Sequence, residues 1–154
     1  MRSLRARLIT RLFHTFFVLT RSMTLGVRAA CFDAEGRVFL VRHSYVPGWQ
    51  MPGGGVERGQ TAREALAREL SEEGNLVIDG APELFAFYFN RRTSKRDHVA
   101  FYRARVRQTA PKTPDREIIE TGFFALDALP EGTTAATRRR LEEVMGTRAI
   151  DEWW

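Results

Sequence analysis

A glycine run followed by a cluster of glutamates is the part of the sequence best suited to chemistry. The pattern predicts a helix from about Thr61 to Glu73, whose alanines and leucines form a buried arc at 100° per residue. Glu69 and Glu73 fall inside that arc, and Glu72 lies at its edge. Burying a carboxylate costs free energy unless its negative charge is compensated, and a hard divalent cation such as Mg²⁺ compensates the charge of several carboxylates at once. The spacing therefore predicts a divalent metal site on this helix face.

The glycines before the helix suit a ligand that carries phosphate. Gly53, Gly54 and Gly55 allow a tight turn and a close backbone approach at a helix N-terminus, where phosphate is favoured. A glycine run also suits an ordinary turn, so it does not identify a ligand by itself. A purely solvated role stays open for Glu64 and Arg68, which are spaced for an i,i+4 ion pair.

Short strand-like runs and a second helix surround this segment. A turn at Asp33 to Gly36 is expected to join the first two strands as a hairpin. The order of strands, helix, strands and helix predicts an α/β (α+β) fold with a mixed β-sheet and helices on its faces. The predicted strands are Gly26–Phe32, Val38–Val41, Leu84–Phe89, Val99–Val106 and Ile118–Leu126, and the second helix is Thr134–Met145.

Length and composition indicate one globular domain. The chain has 154 residues, of which 44% are hydrophobic and 28% charged, and these values exclude a disordered or fibrous class. A chain of this size needs no disulfide to fold, and its lone cysteine, Cys31, fits a reducing compartment. We therefore expect a cytoplasmic protein.

The net charge of +5 comes from one end of the chain. Residues 1–30 contain six arginines and no acidic residue, so the remainder is close to neutral. This pattern divides the chain into an N-terminal basic amphipathic helix, residues 1–23, and a domain at residues 24–154. Helical spacing places one apolar stripe at Leu4, Leu8, Leu12, Phe16 and Leu19.

Three interpretations of the N-terminal helix stay open. Docking on the domain is favoured, since amphipathic helices most often face their own protein's core. A membrane-surface helix, giving weak contact with lipid, is the second, and an arginine-rich targeting peptide is the third. Because the positive charge is confined to this helix, we expect no specific binding of nucleic acid by the domain.

Residues Gly54 to Leu76 resemble the signature of the Nudix hydrolase family, the Nudix box G-x5-E-x7-R-E-U-x-E-E-x-G-U, where U is apolar. Arg68-Glu69-Leu70 and Glu72-Glu73 match in register. Gln60 stands where the first glutamate is expected, and it removes a charge that in the family supports the box arginine or the outer metal shell. Asn75 replaces the last glycine, a mild change because asparagine also tolerates left-handed backbone.

The resemblance implies a Nudix-type α/β/α sandwich and a metal-dependent pyrophosphohydrolase. Such an enzyme cleaves a diphosphate (pyrophosphate) bond in a nucleoside diphosphate linked to another moiety, by attack of water on phosphorus. Mg²⁺ or Mn²⁺ would be held by Glu69, Glu72, Glu73 and the carbonyl of Gly53. A non-catalytic Nudix-like nucleotide-binding or sensor domain is the alternative, motivated by Gln60 and the N-terminal helix.

The resemblance also implies roles for individual side chains. Glu69 is the first candidate for the general base, Glu73 belongs to the same catalytic set, and Glu120 or Glu117 on a later segment is the alternative base. Phosphate charge beyond what the metal neutralises calls for arginine, which binds oxyanions bidentately.

We expect Arg28 and Arg42, on strands next to the box, to contact the substrate together with the backbone of Gly54. Trp153 and Trp154 are unusual for an exposed tail and are expected to dock on the body or on a partner. A nucleobase would stack on one of four aromatic residues, although most of these are expected to be core: Tyr45, Trp49, Phe87 and Tyr88.

Overall fold

The computed structural model describes the backbone from Leu4 to Trp154 and, within the first helix, the side chains of Ile9 and of Leu12 onward. Three helices and seven strands follow one another along this part of the chain. They are α1 Leu4–Thr20, β1 Thr24–Phe32, β2 Val38–His43, β3 Trp49–Gln50, β4 Gly53–Gly55, α2 Ala62–Gly74, β5 Leu76–Phe89, β6 Asp97–Gln108, β7 Ile118–Phe124 and α3 Ala135–Val144.

The seven strands form one mixed sheet, which confirms the predicted class. The strand order is β3-β2-β1-β6-β5, with β4 paired to β1 and β7 paired to β2. β1 and β6 run parallel, whereas the other pairings are antiparallel. β1 is therefore the central strand, and it carries the short β4 directly beside the segment that leads into α2.

Apolar side chains pack on both faces of this sheet. Alternate residues of β1 point to opposite sides, since Ala29 and Cys31 belong to one core cluster and Ala30 belongs to the other. The first cluster is covered by α2 through Leu66 and Leu70, and the second by α3. The result is the expected α/β/α sandwich.

Cys31, the single cysteine of the chain, lies inside the first cluster. It is fully buried, and this burial, together with the nearby carboxylate of Glu73, raises the pKa of its thiol. The group is therefore held as a neutral thiol.

The C-terminal segment is fastened to the second face of the sheet. Trp153 pairs with Phe89 as an isolated bridge, and the ring of Trp154 packs edge-on against Tyr88. A buried ion pair of 2.6 Å joins Arg140 Nη2 to Glu143 Oε1, and Arg140 also donates to the carbonyl of Trp153. The expectation that the tail tryptophans dock on the body is confirmed.

The predicted elements are found with shifted ends. The hairpin turn and the two helices of the body are confirmed, and Gly146 follows α3 with a φ of +74°. The sequence prediction missed β3, β4 and the first half of β5. β3 and β4 have two and three residues, too short for a periodic pattern, and the early part of β5 contains Gly80 and Pro82.

The predicted N-terminal helix is present as α1, but the favoured expectation that it packs on the domain is wrong. Leu12, Phe16 and Leu19 are 63%, 57% and 73% exposed. The other predicted stripe residues, Leu4 and Leu8, have side chains outside the described set. Within the described residues, no helix has the length and apolar character needed to cross a membrane.

Candidate active site

Local interactions fix both ends of α2. Thr61 is the N-cap, and a capping box joins its side chain and backbone to Glu64. These hydrogen bonds from Thr61 lower the pKa of Glu64. Because Glu64 is engaged by Thr61, it is not the i,i+4 partner of Arg68, which pairs with Glu72 instead. Asn75 ends the helix in the left-handed conformation with φ +53°, so it does the work expected of the glycine it replaces.

The glycine strand β4 lies against β1 with almost no space between them. Gly53 has φ +144°, and a Cβ added there would lie 2.8 Å from the Cα of Arg28. Gly54 has an ordinary backbone, but a Cβ there would lie 2.6 Å from Oε2 of Glu69. Glycine is thus required at Gly53 for backbone reasons and at Gly54 because a carboxylate occupies the space.

Glu73 is buried at the end of α2 and is held by two donors. The backbone N–H of Gly53 donates to its Oε2 at 2.8 Å, and Nε2 of His43 lies 2.7 Å from its Oε1. These contacts tie α2 to β4 and to β2. Sequence reasoning missed this role of His43, because 30 residues separate it from Glu73 and no local pattern joins them.

Glu69 and Glu72 share one arginine on the same helix. Arg68 Nη1 lies 2.8 Å from Glu69 Oε1 and 3.2 Å from Glu72 Oε2. The Glu69 side chain is 13% exposed and that of Glu72 is 60% exposed. Burial, together with the charges of Glu73 and Glu72, raises the pKa of Glu69 despite the opposing effect of Arg68.

A cleft of about 540 Å³ opens beside these carboxylates. It is lined by the glycine strand, the acidic side of α2, Tyr45 and the segment before β7. Asp115 accepts hydrogen bonds from Lys112 and from the backbone N–H groups of Ile118 and Glu117, which lower its pKa to about 2. These bonds hold the rim of the cleft.

The donor set fits a hard divalent cation. No group of three or more histidine, cysteine or carboxylate side chains already stands as a metal site in the part of the chain that the structure describes. The cleft nevertheless contains the carboxylates of Glu69, Glu72 and Glu73, and Mg²⁺ and Mn²⁺ prefer oxygen ligands. The raised pKa of Glu69 shows the same need for positive charge, since its burial and neighbouring carboxylates disfavour the anion.

The two predicted substrate arginines lie in different places. Arg28 Nη1 donates to the Met51 carbonyl at 2.8 Å, and its charge acts on Tyr45 of the cleft. Arg42 pairs with Glu120 at 3.0 Å and lies over the ring of Trp49.

The two alternative bases also differ in position. Glu117 lines the cleft, whereas Glu120 does not and is engaged by Arg42. Of the aromatic residues named for stacking, Tyr45 lines the cleft and is 67% exposed, while Trp49 and Tyr88 are buried core.

Gln60 has a role in the loop before α2. Its side-chain oxygen accepts from the backbone N–H of Glu57 at 3.2 Å, and Glu57 Oε1 lies 4.0 Å from Arg68 Nη2. The loop thereby places the carboxylate of Glu57 near Arg68. In the family pattern the glutamate stands three residues later, at the position that Gln60 occupies here.

The sandwich fold and the carboxylate cleft agree with the family comparison: the chain belongs to the NUDIX domain family, whose model matches residues 23–145. It is 44% identical over 55 residues to an RNA pyrophosphohydrolase of Dinoroseobacter shibae, covering 34% of each chain. It is 38% identical over 50 residues to a putative 8-oxo-dGTP diphosphatase of Bacillus subtilis, covering 32% of this chain and 34% of that one. These matches span about a third of the curated relatives' length.

Solved structures extend the likeness to the whole domain. A MutT NUDIX hydrolase from Burkholderia pseudomallei has a TM-score of 0.67 and 28% identity, over 80% of this chain and 98% of that chain. An ADP-ribose pyrophosphatase from Streptococcus suis has a TM-score of 0.63 and 24% identity, over 86% and 97%. The second likeness concerns the fold alone.

Proposed function

We propose that the protein is a Mg²⁺- or Mn²⁺-dependent pyrophosphohydrolase that cleaves a nucleoside diphosphate linked to another moiety, with water attacking phosphorus. The observation that carries this proposal is the convergence of Glu69, Glu72 and Glu73 with the glycine strand in one open cleft. Family membership supports the same chemistry.

The residues of the cleft have separate tasks in this proposal. A bound divalent ion would neutralise the diphosphate and lower the pKa of the attacking water. Glu69 offers a carboxylate oxygen that can accept a proton from water in the cleft, and Arg68 holds Glu69 and Glu72 in position through its two short contacts. Glu73 is oriented by the N–H of Gly53 and by His43, so it presents a fixed oxygen donor.

Three further groups can complete the site. Glu117 also lines the cleft and is the alternative proton acceptor. Arg28 lies close enough to act on Tyr45, so its guanidinium and the Tyr45 ring are the groups available for a phosphate and a base. Arg42 and Glu120 stabilise the β2–β7 pair through their ion pair and take no part in this arrangement.

The substrate panel follows from the names of the relatives. It should contain 5′-triphosphorylated RNA and 8-oxo-dGTP, because the relatives are named for RNA and for an oxidised nucleotide. ADP-ribose is added as a nucleoside diphosphate linked to another moiety. The shared chemistry is a phosphoanhydride bond next to a nucleoside.

Two measurements test the proposal. One is the metal-dependent release of product, and the other is the binding of Mn²⁺, detected by electron paramagnetic resonance. Glu69→Gln and Glu73→Gln are expected to lower turnover at least 100-fold, and Glu73→Gln should also weaken Mn²⁺ binding. Glu83→Gln is the matched control, since that exposed carboxylate lies away from the cleft and pairs with Arg103. An unmodified protein that neither binds Mn²⁺ nor turns over any substrate would refute the proposal. Binding of metal and nucleotide without turnover would instead establish the sensor alternative.

A further inference from the structure

The helix α1 exposes a broad apolar surface that the domain leaves uncovered. Its described side chains from the second half are accessible to solvent, among them Phe13 at 57%, Phe16 at 57% and Leu19 at 73%. Single exposed apolar residues are common on proteins, but a contiguous set of this kind marks a surface that binds something. The apolar side chains that are at least 40% exposed in this region are Ile9, Leu12, Phe13, Phe16, Phe17, Val18, Leu19 and Met23.

Most basic positions of the N-terminal segment, residues 1–23, fall opposite Leu12 and Phe16 on a helical wheel. Residues 1–23 contain five arginines and no acidic residue. At 100° per residue, four basic positions fall within an arc of about 80° on the side away from Leu12 and Phe16, whereas Arg5 falls on the apolar side and Val18 inside the basic arc. The four basic positions are Arg7, Arg11, His14 and Arg21. A wide apolar face with a narrow cationic one is typical of a helix that lies in the interface of a bilayer.

A basic loop of the domain, residues 91–96, adjoins the base of α1. Arg96 Nη1 donates to Ser22 Oγ at 2.6 Å, and its carbonyl accepts from the N–H of Thr24 at 3.0 Å. The loop carries four exposed cations and no acid, and none of the ion pairs found among the described side chains involves them. The cations are Arg91, Arg92, Lys95 and Arg96.

More positive charge lies next to this loop. Arg91, Arg92 and Arg139 line a cavity of about 480 Å³ together with one acidic residue, Asp151, next to the half-exposed ring of Trp153. Burial and the charges of Arg140, Arg92 and Arg148 lower the pKa of Arg139 despite the opposing charge of Asp151, so the cations repel one another at this end of the domain. Together the loop and the cavity form a region of positive potential. A negatively charged surface bound there would reduce the repulsion between the cations.

From these observations we infer that α1 and the basic loop, residues 91–96, together dock the protein onto an anionic lipid surface. The apolar side of α1 enters the interface, and the arginines of the helix and of the loop contact the lipid phosphates. A nucleic acid would use the cations alone and would leave Phe13, Phe16 and Leu19 without a function. The exposed apolar side chains therefore select lipid as the partner. This inference is independent of the proposed catalytic activity.

Vesicle co-sedimentation with the full chain tests this inference. Vesicles of 70% phosphatidylcholine and 30% phosphatidylglycerol should bind the protein, and phosphatidylcholine alone should bind it at least tenfold more weakly. Leu12→Ser/Phe16→Ser should lower binding to the anionic vesicles more than tenfold, because it removes two apolar side chains that enter the bilayer. Arg91→Gln/Arg92→Gln should lower binding by up to about fivefold per arginine.

Two controls make the test specific. Val77→Ser/Met145→Ser removes exposed apolar side chains far from α1, and Arg107→Gln removes a cation near the opposite end of β6, so both should bind vesicles as the unmodified protein does. No binding to anionic vesicles, or binding that the Leu12/Phe16 variant leaves unchanged, would overturn the inference. A dimer in light scattering that this variant dissociates, without vesicle binding, would instead assign the apolar face to a second copy. Tight binding of single-stranded RNA that the variant does not alter, again without vesicle binding, would assign the basic surface to nucleic acid.

Discussion

Replacement of Gly54 by alanine tests the geometry of the cleft with one added carbon atom. Gly54 does not have a positive φ, so alanine brings no backbone strain at this position. The three atoms nearest to the new Cβ all belong to the carboxylate of Glu69. The change therefore acts first on the position of Glu69.

The distances give the size of the expected effect. The added Cβ would lie 2.6 Å from Oε2 of Glu69, and ordinary contact begins at 3.4 Å, so the carboxylate must move by about 1 Å. A misplacement of about 1 Å in a reacting group costs about 100-fold in rate. The atoms nearest to the new Cβ lie at the flexible end of a side chain, so the free energy of unfolding should fall by about 1 kcal/mol or less.

The neighbouring glycines supply the controls. Gly55→Ala adds a Cβ that meets nothing within 4 Å, so turnover should stay within about twofold. Gly53→Ala should lower the free energy of unfolding by about 3 kcal/mol, because φ is +144° and the Cβ meets the backbone of β1. Turnover of the best substrate of the panel, Mn²⁺ affinity and urea unfolding are measured for all three variants. Full turnover and unchanged Mn²⁺ affinity in Gly54→Ala, or an equal loss in Gly55→Ala, would refute the reasoning.

Three further predictions concern the groups that hold the site and the sheet in place. His43→Phe should lower the free energy of unfolding in urea by about 1–3 kcal/mol, since the buried carboxylate of Glu73 loses one of its two donors; an unchanged midpoint would contradict this. Arg140→Met should cost about 3–5 kcal/mol by the same measurement, because it leaves the buried Glu143 without its ion-pair partner, and adding Glu143→Leu should recover part of the loss. Asp115, with a folded pKa of about 2 against an ordinary 3.8, contributes stability that is full above about pH 4 and is lost as the pH falls towards 2. Asp115→Asn should flatten that part of the acid unfolding curve. A curve identical to that of the unmodified protein would show that Asp115 makes no such contribution.

The sequence predicts most accurately where a periodic pattern and burial act together. The helical period placed Glu69 and Glu73 on the buried side of α2, and the structure finds Glu73 buried and Glu69 nearly so. Thr61 and Thr134 were readable as helix starts because capping is a local interaction.

Contacts between distant segments were not readable from one sequence. The bond between His43 and Glu73 joins β2 to α2, and neither residue type alone indicates it. β4 owes its pairing to the lack of side chains opposite Val27 and Arg28, which glycine permits but does not signal. The position of α1 was misjudged because amphipathicity predicts that an apolar face is covered, without indicating whether the cover is the protein's own core.

The burial of Cys31 gives the protein an internal reporter of opening. A neutral thiol in a closed core reacts with a disulfide reagent only when the surrounding sheet and α2 separate, so its labelling rate measures how often the core opens. Ligands that bind the closed form should slow this labelling in proportion to their occupancy. Because the chain has no other cysteine, a second one placed on α1 could be followed beside it, with the fast reaction reporting the helix and the slow one the core.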